Sequence, residues 1–580
     1  MLLRLLAITA AAFAVATGTA VAADPIMPLG EVHGGLRCTG LTVVRGVDIA
    51  SFDVEVIDVV AGDAVAGDPL ILVRASGGAA EPAGIASGFS GAPVICGGRI
   101  AGAIAFGTGD YGNKVALATP IESLLGTPVP DPPAARHALP RALRGTVRPL
   151  ATPIAVRGVD AAVLAPFARR AAKAGLVLQA VPTGPVGSDF PVQPLVPGAS
   201  MAVGLASGDL AAGAVGTVTY VDGPRVWALG HPFDATGRRS LLLQDAWVYT
   251  VIDNPIGIEG ATSTKLAAPG HDLGSITFDG RFGVTGLIGA PPPQTAVHVL
   301  ARNEAGGAAR ESNVQVADET EVGLPSGASP LALVAPLAVA QAGFAALDGS
   351  PVRQSAEMCV RFRLRELSQP TGFCNRYVGD LGGGASPGGP YAIDLADAIA
   401  AIDAFTAQAP HVVSVDADLK VAAGLEQAFI VGVRGPRVVR PGRSARLTLQ
   451  LQRYRGARFE RQVTLRVPRS TERGRYDLGV SGTPADGAIE DAAVLTVAAD
   501  DTPRPSPATF AGLARQISRI GRWDGVYSGL RPAGSEQPVP GRRLFRDADV
   551  RISGSASYPV RVRAAAGGKG GARRALASRR

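Results

Sequence analysis

Charge and aromatic side chains are the two things this chain has little of. Asp, Glu, Lys and Arg make up 18% of its 580 residues and Phe, Trp and Tyr only 5%, against a hydrophobic share of 47%. Such a composition excludes a solvated, disordered polymer, and the length suggests three or four domains with cores of their own. No Cys-x-x-Cys or His-x-x-x-His spacing occurs among four cysteines and six histidines, so no metal site is expected. A glycine-rich phosphate loop with its lysine is missing too, and no cofactor is expected; Gly379-Asp-Leu-Gly-Gly-Gly384 has the composition of a linker. After the first residues no apolar run is long enough to span a bilayer.

Acid is also missing from the last twenty residues, which hold Arg561, Arg563, Lys569, Arg573, Arg574, Arg579 and Arg580. These account for the whole net charge of +7, so the body of the chain is near neutral and a nucleic-acid partner is not expected. Residues 561–580 read instead as a basic, disordered tail.

What the chain has in abundance is turn chemistry, with 74 glycines and 45 prolines. Short strands joined by many turns follow, hence a mainly β fold. Residues 1–22 read as a secretory signal: Arg4, an apolar run from Leu5 to Val15, then Ala20-Val-Ala22 as a small-x-small cleavage site. Export gives the cysteines a meaning, since outside the cytoplasm an even number usually pairs. Cys38 with Cys96 and Cys359 with Cys374 are the expected bridges, one in each of two regions.

Residues 30–126 alternate apolar and polar positions, most clearly from Ile49 to Val60. A Pro/Arg-rich connector, 127–200, carries one helix that Asp160 caps, with Val163, Leu164, Phe167, Ala171 and Ala174 on one face and Gly175 at its end. A second β region spans 201–303. A mixed accessory region, 304–428, includes the linker 379–390 and an amphipathic helix through Leu395, Ile399, Ile402 and Phe405. Alternation returns over 429–500 in a pattern that fits a small immunoglobulin-like sandwich. A helix through Phe510, Leu513, Ile517 and Ile520, with short β elements, fills 501–560.

Chemistry concentrates in two places. Gly88-Phe-Ser-Gly-Ala-Pro93 puts Ser90 in a glycine-flanked turn just ahead of a hairpin made of Val94 to Cys96, a Gly97-Gly98 turn and Ile100 to Phe106. A nucleophilic serine needs an exposed hydroxyl and nearby backbone N–H donors for the oxyanion, which Gly88 and Ser90 would supply. The second place is Gly216-Thr-Val-Thr219, a strand that passes the Asp222-Gly223 turn and returns to deliver His231 in Leu229-Gly-His231.

Together these two motifs resemble the SpoIVB-type serine peptidases, the family of the sporulation stage IV B peptidase. The resemblance covers about a third of the chain, and it implies a chymotrypsin-like double β-barrel built from two separated segments. The serine half precedes the histidine half here, the reverse of the sporulation enzyme, but a catalytic site is defined by geometry and not by chain order. Phe89 and Ala92 stand where the family usually has Met and Ser. The family acid fifteen residues before the serine corresponds to Ala75, and the PDZ module of the sporulation enzyme is not evident.

The implied chemistry is acyl transfer, with Ser90 attacking a peptide carbonyl and His231 moving its proton. Asp234, Asp48, Asp53 and Asp110 are the candidates for an acid that orients the histidine, and a Ser–His dyad is the alternative. His33, His137, His271, His298 and His411 read as surface or satisfied core residues. Two functions compete: an exported, envelope-associated serine endopeptidase acting on a protein substrate, and a catalytically silent relative that binds envelope partners.

Overall fold

The computed structural model describes residues 23–563 apart from 62–66, 110, 130–142, 144–145, 151, 174–175, 182–189, 255–262, 350, 381–388, 483–506, 521–524, 535–541 and 548. The expected signal at 1–22, Asp110, His137, and the tail beyond Arg563 therefore lie outside the described residues. Strand accounts for 51% of the described residues and helix for 14%, so the mainly β expectation holds.

The first β region is a closed barrel. Its strands are β1 (Arg37–Val43), β2 (Ile49–Val60), β3 (Leu70–Ser76), β4 (Pro93–Cys96), β5 (Arg99–Gly107) and β6 (Val115–Pro120). They pair antiparallel in the order β4-β1-β2-β3-β6-β5, and β5 returns to β4 to close the ring. In β2 the alternation turns Phe52, Val54 and Val56 inward, and a bulge between Val56 and Asp58 resets the parity so that Val59 and Val60 are both buried. The β4–β5 hairpin turns on Gly97 and Gly98, whose φ values of 57° and 79° suit the tight two-residue turn a right-twisted hairpin prefers. Cys38 and Cys96 join β1 to β4 with their Cα atoms 4.3 Å apart, as expected from the sequence.

The connector runs through α1 (Ile121–Leu124), β7 (Arg148–Pro149), β8 (Ile154–Arg157), α2 (Ala161–Lys173) and β9 (Leu178–Ala180). Asp160 Oδ1 accepts the Ala162 N–H, and Val163, Leu164, Phe167 and Ala171 face the core as the periodicity predicts; Ala174 and Gly175 lie outside the described residues.

The second β region repeats the arrangement of the first. β10 (Ser200–Gly208), β11 (Ala211–Asp222), β12 (Arg225–Ala228), β13 (Gly237–Ile252), β14 (Thr264–Gly280) and β15 (Gly283–Ile288) pair antiparallel as β10-β11-β12-β15-β14-β13, and β13 returns to β10. Numbered within each region, both rings read 1-2-3-6-5-4.

The second ring is not isolated. β10 also pairs with β17 (Arg310–Ala317), which pairs with β16 (Gln294–Asn303); beyond them lie β18 (Arg353–Leu364), β19 (Thr371–Asp380) and β20 (Val412–Ala423), completing a thirteen-stranded sheet. Residues 304–428 thus extend the histidine region, although their composition reads as a separate accessory unit. The parallel pairing of β16 with β20, far apart in sequence, makes that join. α3 (Pro330–Ala346) is apolar all round and buried, and α4 (Gly389–Asp403) packs beside it. Cys359 and Cys374 sit opposite one another on β18 and β19 and form the second bridge.

At the C-terminal end, β21 (Gln427–Arg434), β22 (Val438–Val439), β23 (Ser444–Arg453), β24 (Arg458–Arg466), β25 (Gly474–Ser481), β26 (Gly525–Pro532), β27 (Arg542–Arg546), β28 (Arg551–Ser553) and β29 (Ser555–Val562) form a four-stranded and a five-stranded sheet around one core. These strands run past residue 500 and reach Val562, so Arg561 belongs to β29 and not to a free tail. The helix between them, α5 (Phe510–Ile517), turns Leu513 and Ile517 to the core of the large sheet. Among the described residues no helix is long and apolar enough to cross a membrane.

Candidate active site

The two rings place Ser90 and His231 on matching loops. Ser90 lies between β3 and β4, and His231 between β12 and β13, in each case the connection from the third strand to the fourth. The loops meet where the rings touch: a Cβ on Gly91, which has φ 91°, would come within 2.6 Å of the Leu229 nitrogen and overlap the Thr217 carbonyl oxygen. Only glycine fits beside the serine at that distance.

The Gly-Thr-Val-Thr motif now has a mechanical role. Thr217 Oγ1 donates to the Gly88 carbonyl at 3.0 Å, the Thr217 N–H to the Ser90 carbonyl at 2.8 Å, and Thr219 Oγ1 to the Gly91 carbonyl at 2.7 Å. Three successive bonds from one strand of the histidine ring therefore fix the turn of the serine ring. From the other direction, Thr119 Oγ1 of β6 donates to the Gly230 carbonyl at 2.6 Å, and the His231 ring stands 6.5 Å, centroid to centroid, from Phe106 of β5.

Leu229 and Gly230 are both left-handed, with φ of 72° and 70°. For leucine this conformation costs on the order of 1–2 kcal/mol, and the surrounding packing maintains it. Leu229 is fully buried, its Cδ2 occupying the space a Cβ on Gly216 would need.

Both candidate groups are sealed. Ser90 is 0% and His231 1% exposed, and Ser90 Oγ and His231 Nε2 are buried polar atoms without a hydrogen-bond partner, including each other. Two such orphans at one junction are unusual, because buried polar atoms are normally satisfied. Burial lowers the His231 pKa to about 4, so the imidazole is neutral at pH 7 and its free nitrogen can take a proton.

The amides beside Ser90 are also free. The Ser87 carbonyl accepts the Lys265 N–H at 2.9 Å, which turns the Gly88 N–H to the opposite side of a trans peptide. Among the described residues neither the Gly88 nor the Ser90 amide donates to an acceptor, an arrangement suited to an anion.

Among the described residues no carboxylate orients the histidine. His231 Nδ1 is 2.8 Å from the Pro232 carbonyl, the bond that fixes the ring. Asp234, the nearest acid in sequence, is drawn elsewhere: its carboxylate takes Arg239, five residues on, and the Ser326 hydroxyl. Arg239 is buried and makes a bidentate pair with Glu319 at 2.7 and 2.9 Å. Asp48 and Asp53 are exposed, and Ala75 is buried in β3 where the family acid would fall.

Two site residues carry no motif of their own. Asp279, next to last in β14, is 1% exposed and accepts the N–H groups of Phe233 and Asp234, both at 2.8 Å, so it anchors the chain just after His231. Burial, with Asp234 beside it, raises the Asp279 pKa to about 6. The other is Lys265 of β14, buried behind the serine turn. Among the other histidines, His271 pairs with Asp245 and His411 with Glu366 and Glu321. No group of His, Cys, Asp and Glu among the described residues is arranged to hold a metal.

The site thus belongs to the class in which two antiparallel six-strand rings each lend one side chain to a junction between them. No protein-family model matches the chain, and no curated protein matches it in sequence.

Proposed function

We propose that this protein is an exported serine endopeptidase of the SpoIVB type, its two rings a chymotrypsin-like double barrel and its C-terminal sheets an immunoglobulin-like sandwich. The observation that carries the reading is the equivalent placement of Ser90 and His231 on the third-to-fourth-strand loops of two rings with the same strand order. Ser90 attacks a peptide carbonyl, His231 takes its proton and passes it to the leaving amine, and the Gly88 and Ser90 amides receive the oxyanion. The Pro232 carbonyl replaces the orienting acid, making a Ser–His dyad. Two disulfides fit an extracytoplasmic, envelope-associated setting with a protein substrate.

One observation favours a second reading, a silent envelope-binding relative: both reacting groups are closed to solvent, and among the described residues no carboxylate supports the histidine. A fluorophosphonate probe separates the two. The peptidase labels at Ser90, and Ser90→Ala abolishes labelling and any self-cleavage; equal labelling of both proteins sinks the mechanism.

A further inference from the structure

Lys265 is an ionisable amine in an uncharged environment. It is 4% exposed, and its Nζ donates to three hydroxyls: Thr42 Oγ1 of β1 at 2.9 Å, Ser200 Oγ of β10 at 3.3 Å and Thr217 Oγ1 of β11 at 3.4 Å. The Phe89 ring lies 5.2 Å away. Among the described residues no carboxylate is in ion-pair reach. A buried ammonium without a counter-ion is costly to maintain, more so than the hydroxyls alone offset.

Its position supplies a reason. The methylene stem runs under the serine turn, where a Cβ on Gly88 would meet Lys265 Cβ at 2.8 Å. Thr217 Oγ1, which accepts a hydrogen bond from Nζ, donates its own hydrogen to the Gly88 carbonyl at 3.0 Å. The polarised chain from Nζ through Thr217 to Gly88 aims positive charge at the turn whose amides are free. We propose that Lys265 is the missing half of an ion pair completed only during reaction: a positioning residue that stabilises the oxyanion formed at Ser90, acting through Thr217 and the Gly88 turn. This rests on the peptidase reading.

The step balances without Lys265 changing its protonation. Ser90 Oγ forms the new bond to the carbonyl carbon, the hydroxyl proton moves to His231 Nε2, and the carbonyl π pair becomes the oxyanion. Collapse returns the pair and expels the amine, which takes the proton from His231. The lysine supplies a field in a water-poor interior, where a fixed charge acts strongly.

A pH signature follows. Burial lowers the Lys265 pKa to about 7, and the groups facing it, Thr42, Ser200, Thr217 and Phe89, do not titrate in this range. His231, facing Phe106 and the Pro232 carbonyl with the Asp234, Asp279, Arg239 and Glu319 network behind its loop, is neutral above about pH 4. The reactive form, neutral histidine with charged lysine, spans mildly acidic pH, below the usual range for a serine–histidine pair.

The test measures the rate of fluorophosphonate labelling at Ser90 in the full-length protein from pH 5 to pH 9, with thermal melts confirming that each variant folds. Wild type is expected to lose about tenfold in rate across pH 7, less than the roughly 10²–10³-fold that loss of a direct oxyanion donor costs, because the lysine acts through Thr217 and the turn. Lys265→Arg, a cation that does not titrate, keeps its rate to pH 9. Lys265→Met is about tenfold slower than wild type at pH 6 and shows no fall near 7. A flat wild-type profile from pH 6 to 9, or a Lys265→Met rate equal to wild type, overturns the proposal while Ser90 labelling still stands. The wild-type profile decides even if a variant fails to fold. No labelling of wild type at any pH overturns both this proposal and the peptidase reading.

Discussion

The serine ring and the histidine ring share a strand order and differ in almost everything else. The first is small, closed on itself, filled by its own side chains and stapled between β1 and β4. The second opens into a thirteen-stranded sheet whose core merges with α2, α3, α4 and α5. The division of labour follows the same line. The small ring presents Ser90 on a glycine turn, and the large one supplies nearly everything that fixes that turn: Thr217, Thr219 and Lys265, with His231 on the facing loop. The serine half is therefore a complete domain by packing, but its turn is held from outside.

The largest expected effect tests that dependence. Ser90→Ala should abolish labelling, and His231→Ala should slow labelling of Ser90 by about 10³-fold or more; in self-cleavage the double variant should be no worse than either single one, because residues acting as a unit are not additive. A His231→Ala labelling rate equal to wild type would mean the serine ring acts without the histidine ring.

Stability separates the rings next. Closing a separation of 58 residues, the Cys38–Cys96 bridge should contribute roughly 4 kcal/mol by loop-entropy arguments, and Cys359–Cys374, with a separation of 15, roughly 3 kcal/mol. Paired Cys→Ser variants followed by denaturant melts should show loss of the first bridge unfolding the serine ring ahead of the large sheet. A single shared transition would mean the junction couples them fully.

The histidine gives a pH test. Its folded pKa of about 4 lies below the ordinary 6.5, so neutral His231 contributes stability that is present above pH 6.5 and lost as pH falls toward 4. His231→Gln should therefore gain on wild type by about 3 kcal/mol across that window. Asp279 has the opposite slope, since a carboxyl raised to about 6 favours the fold when protonated and gives that up as pH rises from about 4 to about 6. Melting temperatures of both proteins against pH check the sign.

The smallest effect concerns the clamp. Thr217→Val keeps the shape and leaves the Gly88 carbonyl without its donor, at a cost of about 1–3 kcal/mol. Labelling should slow, while Thr219→Val, whose partner is the Gly91 carbonyl three residues further along the turn, slows it less.

Much of this was legible in residues. The alternation from Ile49 to Val60 gives β2 with both of its ends, Asp222-Gly223 gives the β11–β12 hairpin, and both cysteine pairs follow from export and an even count. Asp234 was misleading because sequence proximity to His231 says nothing about Arg239, which claims its carboxylate. Lys265 was invisible for a different reason: in β14 it shares the inward parity of Ala267 while Leu266 points outward, so the pattern of Thr-Lys-Leu-Ala reads on the wrong face. The thirteen-stranded sheet was illegible because its decisive pairing, β16 with β20, is parallel and distant. No local signal records such a partner.

The left-handed leucine has a consequence for how this chain can vary by descent. Leu229 fills the room over Gly216, so a side chain at 216 is tolerated only if the one at 229 shrinks, and a smaller residue at 229 in turn leaves a hole that only a larger one at 216 would fill. The two positions are locked as a compensating pair, and the threonine strand and the histidine loop must drift together or not at all.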